Sequence, residues 1–257
     1  VPNISAYGTR TSVAGTDRIF IATGTSDQID SATLTQVVSL ASGGPTFTRP
    51  ALSSFTESNH QSGTTATDIS GGPIVVNCAP GGTYQQIDNW NQSVSGSEWM
   101  LTVCLSQSYC IAAPNNDYST LGIGVKASSG YLFCVRVLGH QEQLDVITAS
   151  SQSAYNSDLS AVTERNFSKV WYRLYYQSSD SSTPYTVYRS VDGYTWTYIY
   201  GWNGTSGVSG SFTASSVFFF ADCGGNPSSY TGGTLWHWDI QTGTGSSLNP
   251  YSIVNPQ

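Results

Sequence analysis

The chain has 257 residues, a formal net charge of −7 and only 10% charged residues, with 26 Gly, 16 Tyr and 7 Trp. Lys126 and Lys169 are the only lysines, so the basic footprint that neutralises nucleic-acid phosphates is missing. No apolar run approaches the roughly 20 residues of a bilayer span, and neither a nucleic-acid partner nor membrane insertion is expected.

Length alone allows a large core without a disulfide framework. A Gly/Ser/Thr-rich, aromatic-rich chain reads as an all-β protein outside a cytoplasm or on a particle surface. The N-terminus VPNISAYGTR lacks a charged stretch followed by an apolar core, so no signal peptide is expected in it.

In chain order, residues 1–48 are predicted to form a short irregular segment with one strand, Arg18 to Ala22, followed by polar spacers and an apolar stretch from Leu34 to Leu40. Ile74, Val76 and Cys78 alternate as the first inward strand. Trp99 to Leu105 is apolar enough to be buried on both faces. Tyr118 to Val125 and Tyr131 to Leu138 are strands joined by Ala127-Ser128-Ser129-Gly130, and Leu144 to Thr148 is the next. Asn156 to Asn166 reads as a loop or short helical turn.

The strongest pattern lies between Lys169 and Tyr200. Val170 to Gln177 sets Trp171, Arg173 and Tyr175 against Tyr172, Leu174 and Tyr176. Tyr185 to Ser190 and Thr195 to Tyr200 alternate in the same way. Aromatic and β-branched residues at period two favour a pleated, half-buried surface. Asp192-Gly193 supplies the positive φ of a hairpin turn. A three-stranded antiparallel meander follows. Ser216 to Ala221 is a further buried strand, and Gly232 to Ile240 alternates Leu235, His237 and Asp239 against Trp236, Trp238 and Ile240. Residues 243–257 form a Gly/Ser/Pro tail expected to be ordered only against a neighbour.

About a dozen strands without a helical period imply a sandwich or jelly roll. The meander carries a resemblance. Trp171-Tyr-Arg-Leu174, a polar gap, then Tyr185-x-Val-Tyr-x-Ser-Val-Asp-Gly-x-x-Trp-Thr197 resembles the concanavalin A-like (lectin/glucanase) sandwich, as does the hairpin GIGVKASSGYLFCVRV. The resemblance covers residues 49–242 and implies an antiparallel jelly-roll sandwich with its last strand beside its first. Ala14-Gly-Thr-Asp-Arg-Ile-Phe-Ile21 resembles an element found early in bacteriophage tail and fibre proteins. Pro50-x-Leu-Ser-x-Phe-Thr56 is similar to the opening of sandwich domains in phage structural proteins, with Glu57 and Ser58 where that pattern has Trp and Val.

Catalytic signatures are sparse. Sandwich glycosidases place two carboxylates across the scissile bond, but the acids are dispersed in sequence and no E-x-D-x-x-E motif occurs. Glu142 and Asp145, with His140 nearby, come closest and read as a solvated turn. His60, His140 and His237 are isolated in sequence, and His237 is expected to be a hydrogen-bonded structural residue. The five cysteines form no C-x-x-C pair, so no zinc site is expected. Cys104 and Cys134 read as small buried hydrophobes, with a Cys104–Cys110 disulfide as the alternative. Asn115, Asn116 and Asp117 offer oxygens for calcium, but no second carboxylate completes that set. No metal or other cofactor is therefore assigned.

Sugar binding needs exposed aromatics among polar groups. Trp90, Tyr118, Tyr194, Trp202 and Tyr230 lie outside the regular strand pattern and are the candidates. The resemblances imply a non-enzymatic virion structural protein, a phage fibre, tail or head-decoration subunit at the virion surface. In that reading residues 1–48 join other virion proteins, the subunits form a homotrimer, and the domain at 49–242 displays a surface for host glycans. The alternative is a secreted carbohydrate-binding module or lectin. A sandwich glycoside hydrolase or lyase is a third reading, disfavoured by the scattered acids.

Overall fold

The computed structural model describes residues 18–22, 29–33, 47–70, 72–78, 87–111, 119–138, 143–152, 154–163, 169–209, 212–223, 230–252 and 254. The chain divides into two units, residues 1–46 with 252–257, and residues 47–251. In the first unit, strand β1 (Arg18–Ala22) pairs antiparallel with β2 (Ile29–Thr33). The second of these falls in what the sequence presented as polar spacer. The stretch from Leu34 to Leu40 lies outside the described residues.

The second unit is two seven-stranded antiparallel sheets, with no α-helix among the described residues. Its strands are β3 (Thr56–Ser58), β4 (Thr64–Asp68), β5 (Ile74–Cys78), β6 (Asp88–Ser93), β7 (Glu98–Ile111), β8 (Ser119–Ala127) and β9 (Leu132–Leu138). They continue with β10 (Gln143–Ser151), β11 (Ala154–Thr163), β12 (Val170–Gln177), β13 (Tyr185–Ser190), β14 (Thr197–Trp202), β15 (Ala214–Cys223) and β16 (Tyr230–Gly243). Sheet I runs β11-β10-β9-β8-β15-β6-β3, and sheet II runs β14-β13-β12-β7-β16-β5-β4. The fold is the expected antiparallel sandwich.

Period-two alternation builds the core. Leu121, Ile123, Val125, Val217 and Phe219 of sheet I share one buried cluster with Ile74, Val76, Leu101, Val103 and Leu235 of sheet II. Burying each such side chain contributes about 1.5–3 kcal/mol. The Phe133 ring of β9 stacks on Trp202 of β14 at 4.6 Å and 5°, linking the two sheets. The meander is β12-β13-β14, as the alternation predicts. Its turn holds Gly193 at φ 77, while Asp192 Oδ1 accepts from the Tyr194 and Thr195 amides.

Three departures have local causes. Residues 154–163 form β11, an edge strand whose pairing with β10 breaks register three times, so no simple alternation marks it. A bulge at Trp236 lets Leu235 face Leu105 while His237 faces Cys104. Leu235 and Trp238 therefore both enter the core, and His237 lies on the opposite face. Residues 244–251 also pack on their own chain. The Glu98 carboxylate accepts from the Ser247 and Leu248 amides, Arg173 Nη1 donates to Pro250 O at 2.7 Å, and Tyr251 meets Tyr188 edge-on. As expected, Cys104 and Cys134 are buried free thiols, which excludes the Cys104–Cys110 alternative. Burial pushes the Cys104 thiol up to about 12. Cys78 is disulfide-bonded.

His237 has the structural role its position suggested. Its ring is fully buried, lies against Phe47 and Trp171, and accepts the Thr48 amide at Nδ1 over 2.8 Å. Burial and the nearby Arg173 lower its pKa to about 4. Arg173 is itself buried, with its guanidinium 3.8 Å over the Trp196 ring.

Candidate functional site

The edge strands β3 and β4 belong to different sheets, and the five residues between them cross from one to the other. That crossing needs a sharp reversal, which Asn59 at φ 58 and Gly63 at φ 87 provide. Such left-handed positions suit Gly and Asn above other residues. The loop is tied down by polar side chains. Asn59 Nδ2 donates to Ile87 O at 2.9 Å, Gln61 Nε2 donates to Asn59 O at 2.9 Å, and the Thr64 amide closes on Gln61 O. A 3-10 turn at Leu52–Ser54 is anchored when the Leu52 amide donates to both Asp68 carboxylate oxygens.

Between these edges opens a cleft of about 310 Å³, lined by Leu52, Phe55, Glu57, His60, Thr64, Thr65, Ala66 and Trp90. Leu52, Phe55, Ala66 and Trp90 supply apolar surface, while Glu57, His60 and the threonines supply hydrogen-bonding groups. Ligand sites commonly combine such walls with a few convergent polar groups.

Behind Glu57 and His60 sits Asp88. Its strand pairs with β3 so that Ser58 faces Asn89, which brings residue 88 beneath the loop. His60 Nδ1 is 2.6 Å from Glu57 Oε1 and 3.6 Å from Asp88 Oδ2. Asp88 is wholly buried. Its Oδ2 accepts the Gln61 amide at 3.1 Å, and its Oδ1 has no hydrogen-bond partner. Burial raises the Asp88 pKa to about 6, opposed by the Gln61 hydrogen bond and assisted by the Glu57 charge. The hydrogen bond and charge of Glu57 raise the pKa of the exposed His60.

One imidazole nitrogen and two carboxylates, all within 4.8 Å of one another, can share a proton or bind a cation. The three residues were dispersed in sequence and went unassigned. Glu57-x-x-His60 is the only local signal, and Asp88 joins it through sheet pairing alone.

The aromatic candidates divide. Trp90 is buried and stacked on Phe219 at 4.9 Å and 13°. Trp202 is also buried, closing β14 against Phe133, with Nε1 donating to Ser206 O at 2.9 Å. Neither presents the open ring face that sugar stacking requires, because each fills the core at the end of an inward alternation. Tyr194 and Tyr230 are 47% and 41% exposed. Tyr194 sits in the β13–β14 loop and Tyr230 opens β16, so they stand on separate elements. Tyr118 lies outside the described residues, as do His140, Glu142 and the Asn115–Asp117 run. Asp145 is no solvated turn residue. It is buried in β10, 3.0 Å from Arg136 Nη2, which also lies 3.4 Å from Asp158.

No protein-family model matches the chain, and no curated protein does so either. Solved structures share its fold. A functionally unknown protein from Saccharomyces cerevisiae superposes with a TM-score of 0.51 at 14% identity, over 76% of this chain and 100% of its own. The cellulose-induced protein Cip1 does so with a TM-score of 0.50 at 13% identity, over 75% and 93%. The carbohydrate-binding module CBM66 from Bacillus subtilis reaches 0.47 at 8% identity, over 74% and 96%. At these identities the likeness is one of fold alone, an antiparallel β-sandwich. The phage setting drawn from residues 14–21 and 50–56 gains no support from it.

Proposed function

We propose that this chain is a carbohydrate-binding sandwich that holds a glycan in the cleft between β3 and β4. The observation that carries the reading is the lining of that cleft. Glu57, His60 and Thr65 bring hydrogen-bonding groups into the same cleft as the apolar side chains of Leu52, Phe55 and Ala66. Carboxylate and hydroxyl oxygens accept from sugar hydroxyls, and apolar surface packs against sugar C–H faces. A net charge of −7 and the exposed Glu57 disfavour uronic or sulfated sugars by like-charge repulsion, so the ligand is a neutral or amino-sugar glycan.

Binding is preferred to hydrolysis on geometric grounds. The second carboxylate, Asp88, is buried and does not line the cleft beside Glu57. A retaining or inverting pair must flank the bond. The Cys78 disulfide supports an oxidising, extracellular setting. The carbohydrate-binding alternative is therefore preferred to the virion subunit and its trimer, which no observation favours.

The test is affinity electrophoresis and calorimetry on a panel of neutral, amino and acidic polysaccharides, comparing wild type with Glu57→Gln and Thr65→Val. Binding of a neutral or amino-sugar glycan that weakens about ten-fold in Glu57→Gln, consistent with loss of a charge-assisted hydrogen bond, is expected. Binding unchanged in both variants would place the ligand elsewhere, and no binding across the panel would overturn the reading.

A further inference from the structure

The geometry points to a binding site for a first-row divalent cation of the zinc or manganese class, held by His60 Nδ1, Glu57 and Asp88 at the back of the edge cleft. Three observations converge. First, the ligand atoms lie within 4.8 Å of one another, with His60 Nδ1 at 2.6 Å from Glu57 Oε1 and 3.6 Å from Asp88 Oδ2. Tetrahedral ligation at about 2.0–2.2 Å separates neighbouring donor atoms by roughly 3.4 Å. The His60–Asp88 pair already has about that spacing. The exposed Glu57–His60 pair needs to open by less than 1 Å, and neither side chain is held by core packing.

Second, Asp88 is fully buried yet leaves Oδ1 without a partner. An incompletely satisfied buried carboxylate is costly. Its other oxygen receives one amide, from Gln61. A bound cation would neutralise this carboxylate, whose Oδ2 His60 faces at 3.6 Å. Third, the donor set selects the metal. Two carboxylates with an imidazole suit zinc or manganese, whereas calcium and magnesium prefer oxygen alone.

Glu57 and His60 line the cleft while Asp88 lies behind them. A cation held by all three has its remaining coordination positions on the cleft side. Water fills them in the free protein, and a glycan hydroxyl replaces water on binding. That last step rests on the glycan reading above. The cation site itself does not.

The experiment measures the two separately on the full chain. Zinc is titrated calorimetrically into metal-stripped wild type, His60→Gln and Asp88→Asn, with calcium as the comparison and cobalt absorption reporting the ligand field. One zinc per chain is expected, with affinity at least about ten-fold lower in each variant. His60 is exposed, so His60→Gln preserves the fold if Asp88→Asn does not. No zinc binding, zinc binding unaltered in His60→Gln, or binding of calcium in preference to zinc overturns the proposal. Glycan binding is then measured with and without chelator. Glycan binding that ignores the chelator, in a protein that binds no zinc, sinks the cation site and spares the glycan reading. Zinc binding without any glycan does the reverse.

Discussion

His237 makes a sharp test of how the outer face of sheet II is stabilised. The buried ring accepts the Thr48 amide at Nδ1, an arrangement available only to neutral imidazole. Burial, with Arg173 close by, brings its pKa down from 6.5 to about 4. In the unfolded chain the ring protonates near its ordinary value, so between those two limits the unfolded state binds more protons. Stability contributed by His237 is therefore complete above pH 6.5 and falls as pH drops toward 4. From about pH 7.5 to about pH 4.5 the linkage amounts to roughly 2.5 kcal/mol. Asp88, with its pKa raised to about 6, acts in the opposite direction, losing stability as pH rises through 4 to 6. Wild type alone would mix the two.

The assay is urea unfolding of wild type and His237→Gln at several values across that range. Gln can still accept the Thr48 amide but does not titrate. The variant is less stable at neutral pH through lost ring packing against Phe47 and Trp171. Its deficit should shrink by about 2.5 kcal/mol on acidification. A deficit constant with pH would refute the account of a neutral, burial-depressed histidine.

Two further outcomes follow from packing and hydrogen bonding. A Cβ on Gly122 would stand 2.3 Å from Val135 O and 2.5 Å from the Phe220 ring. Gly122→Ala should therefore lower stability by about 1–3 kcal/mol in urea unfolding, as overpacking does, and a neutral result would mean that β8 shifts freely against β9 and β15. Burial pushes the Glu98 carboxyl up, yet hydrogen bonds from Tyr175, Leu248 and Ser247 outweigh it and hold the pKa below the usual value. Replacing Oε2 by an amide turns it against the Ser247 amide, so Glu98→Gln should cost about 2 kcal/mol and expose residues 244–251 to proteolysis. Unchanged cleavage there would show that this segment does not depend on Glu98.

The parts of the fold legible in the sequence are those where burial and alternation coincide. β12 and β13 keep their expected limits because aromatic residues occupy both faces of strands packed on both sides. Strand β11 was hidden by its composition, AYNSDLSAVT, where register breaks remove the periodic signal. Trp202 looked like a loop residue because Gly and Asn surround it, but its ring closes the core. Trp90 was concealed by polar neighbours, although Asn89 and Asn91 flanking one inward tryptophan are themselves an alternation. The cleft was least legible. Glu57 and His60 are three residues apart, but Asp88 reaches them only through the pairing of β3 with β6, and local sequence carries no record of which edge strand pairs with which.

The irregular seam between β10 and β11 has a consequence for neighbouring molecules. β11 is the outermost strand of sheet I, the place where a foreign strand would add itself to the ladder. Register shifts fall between Val146 and Ile147, Thr148 and Ala149, and Ala149 and Ser151. A bulged strand twists and bends away from a flat template, and a regular incoming strand finds no long run of evenly spaced donors and acceptors. Irregular edges of this kind discourage self-association through strand addition. What obscured β11 in the sequence thus also guards this border of the sandwich against aggregation.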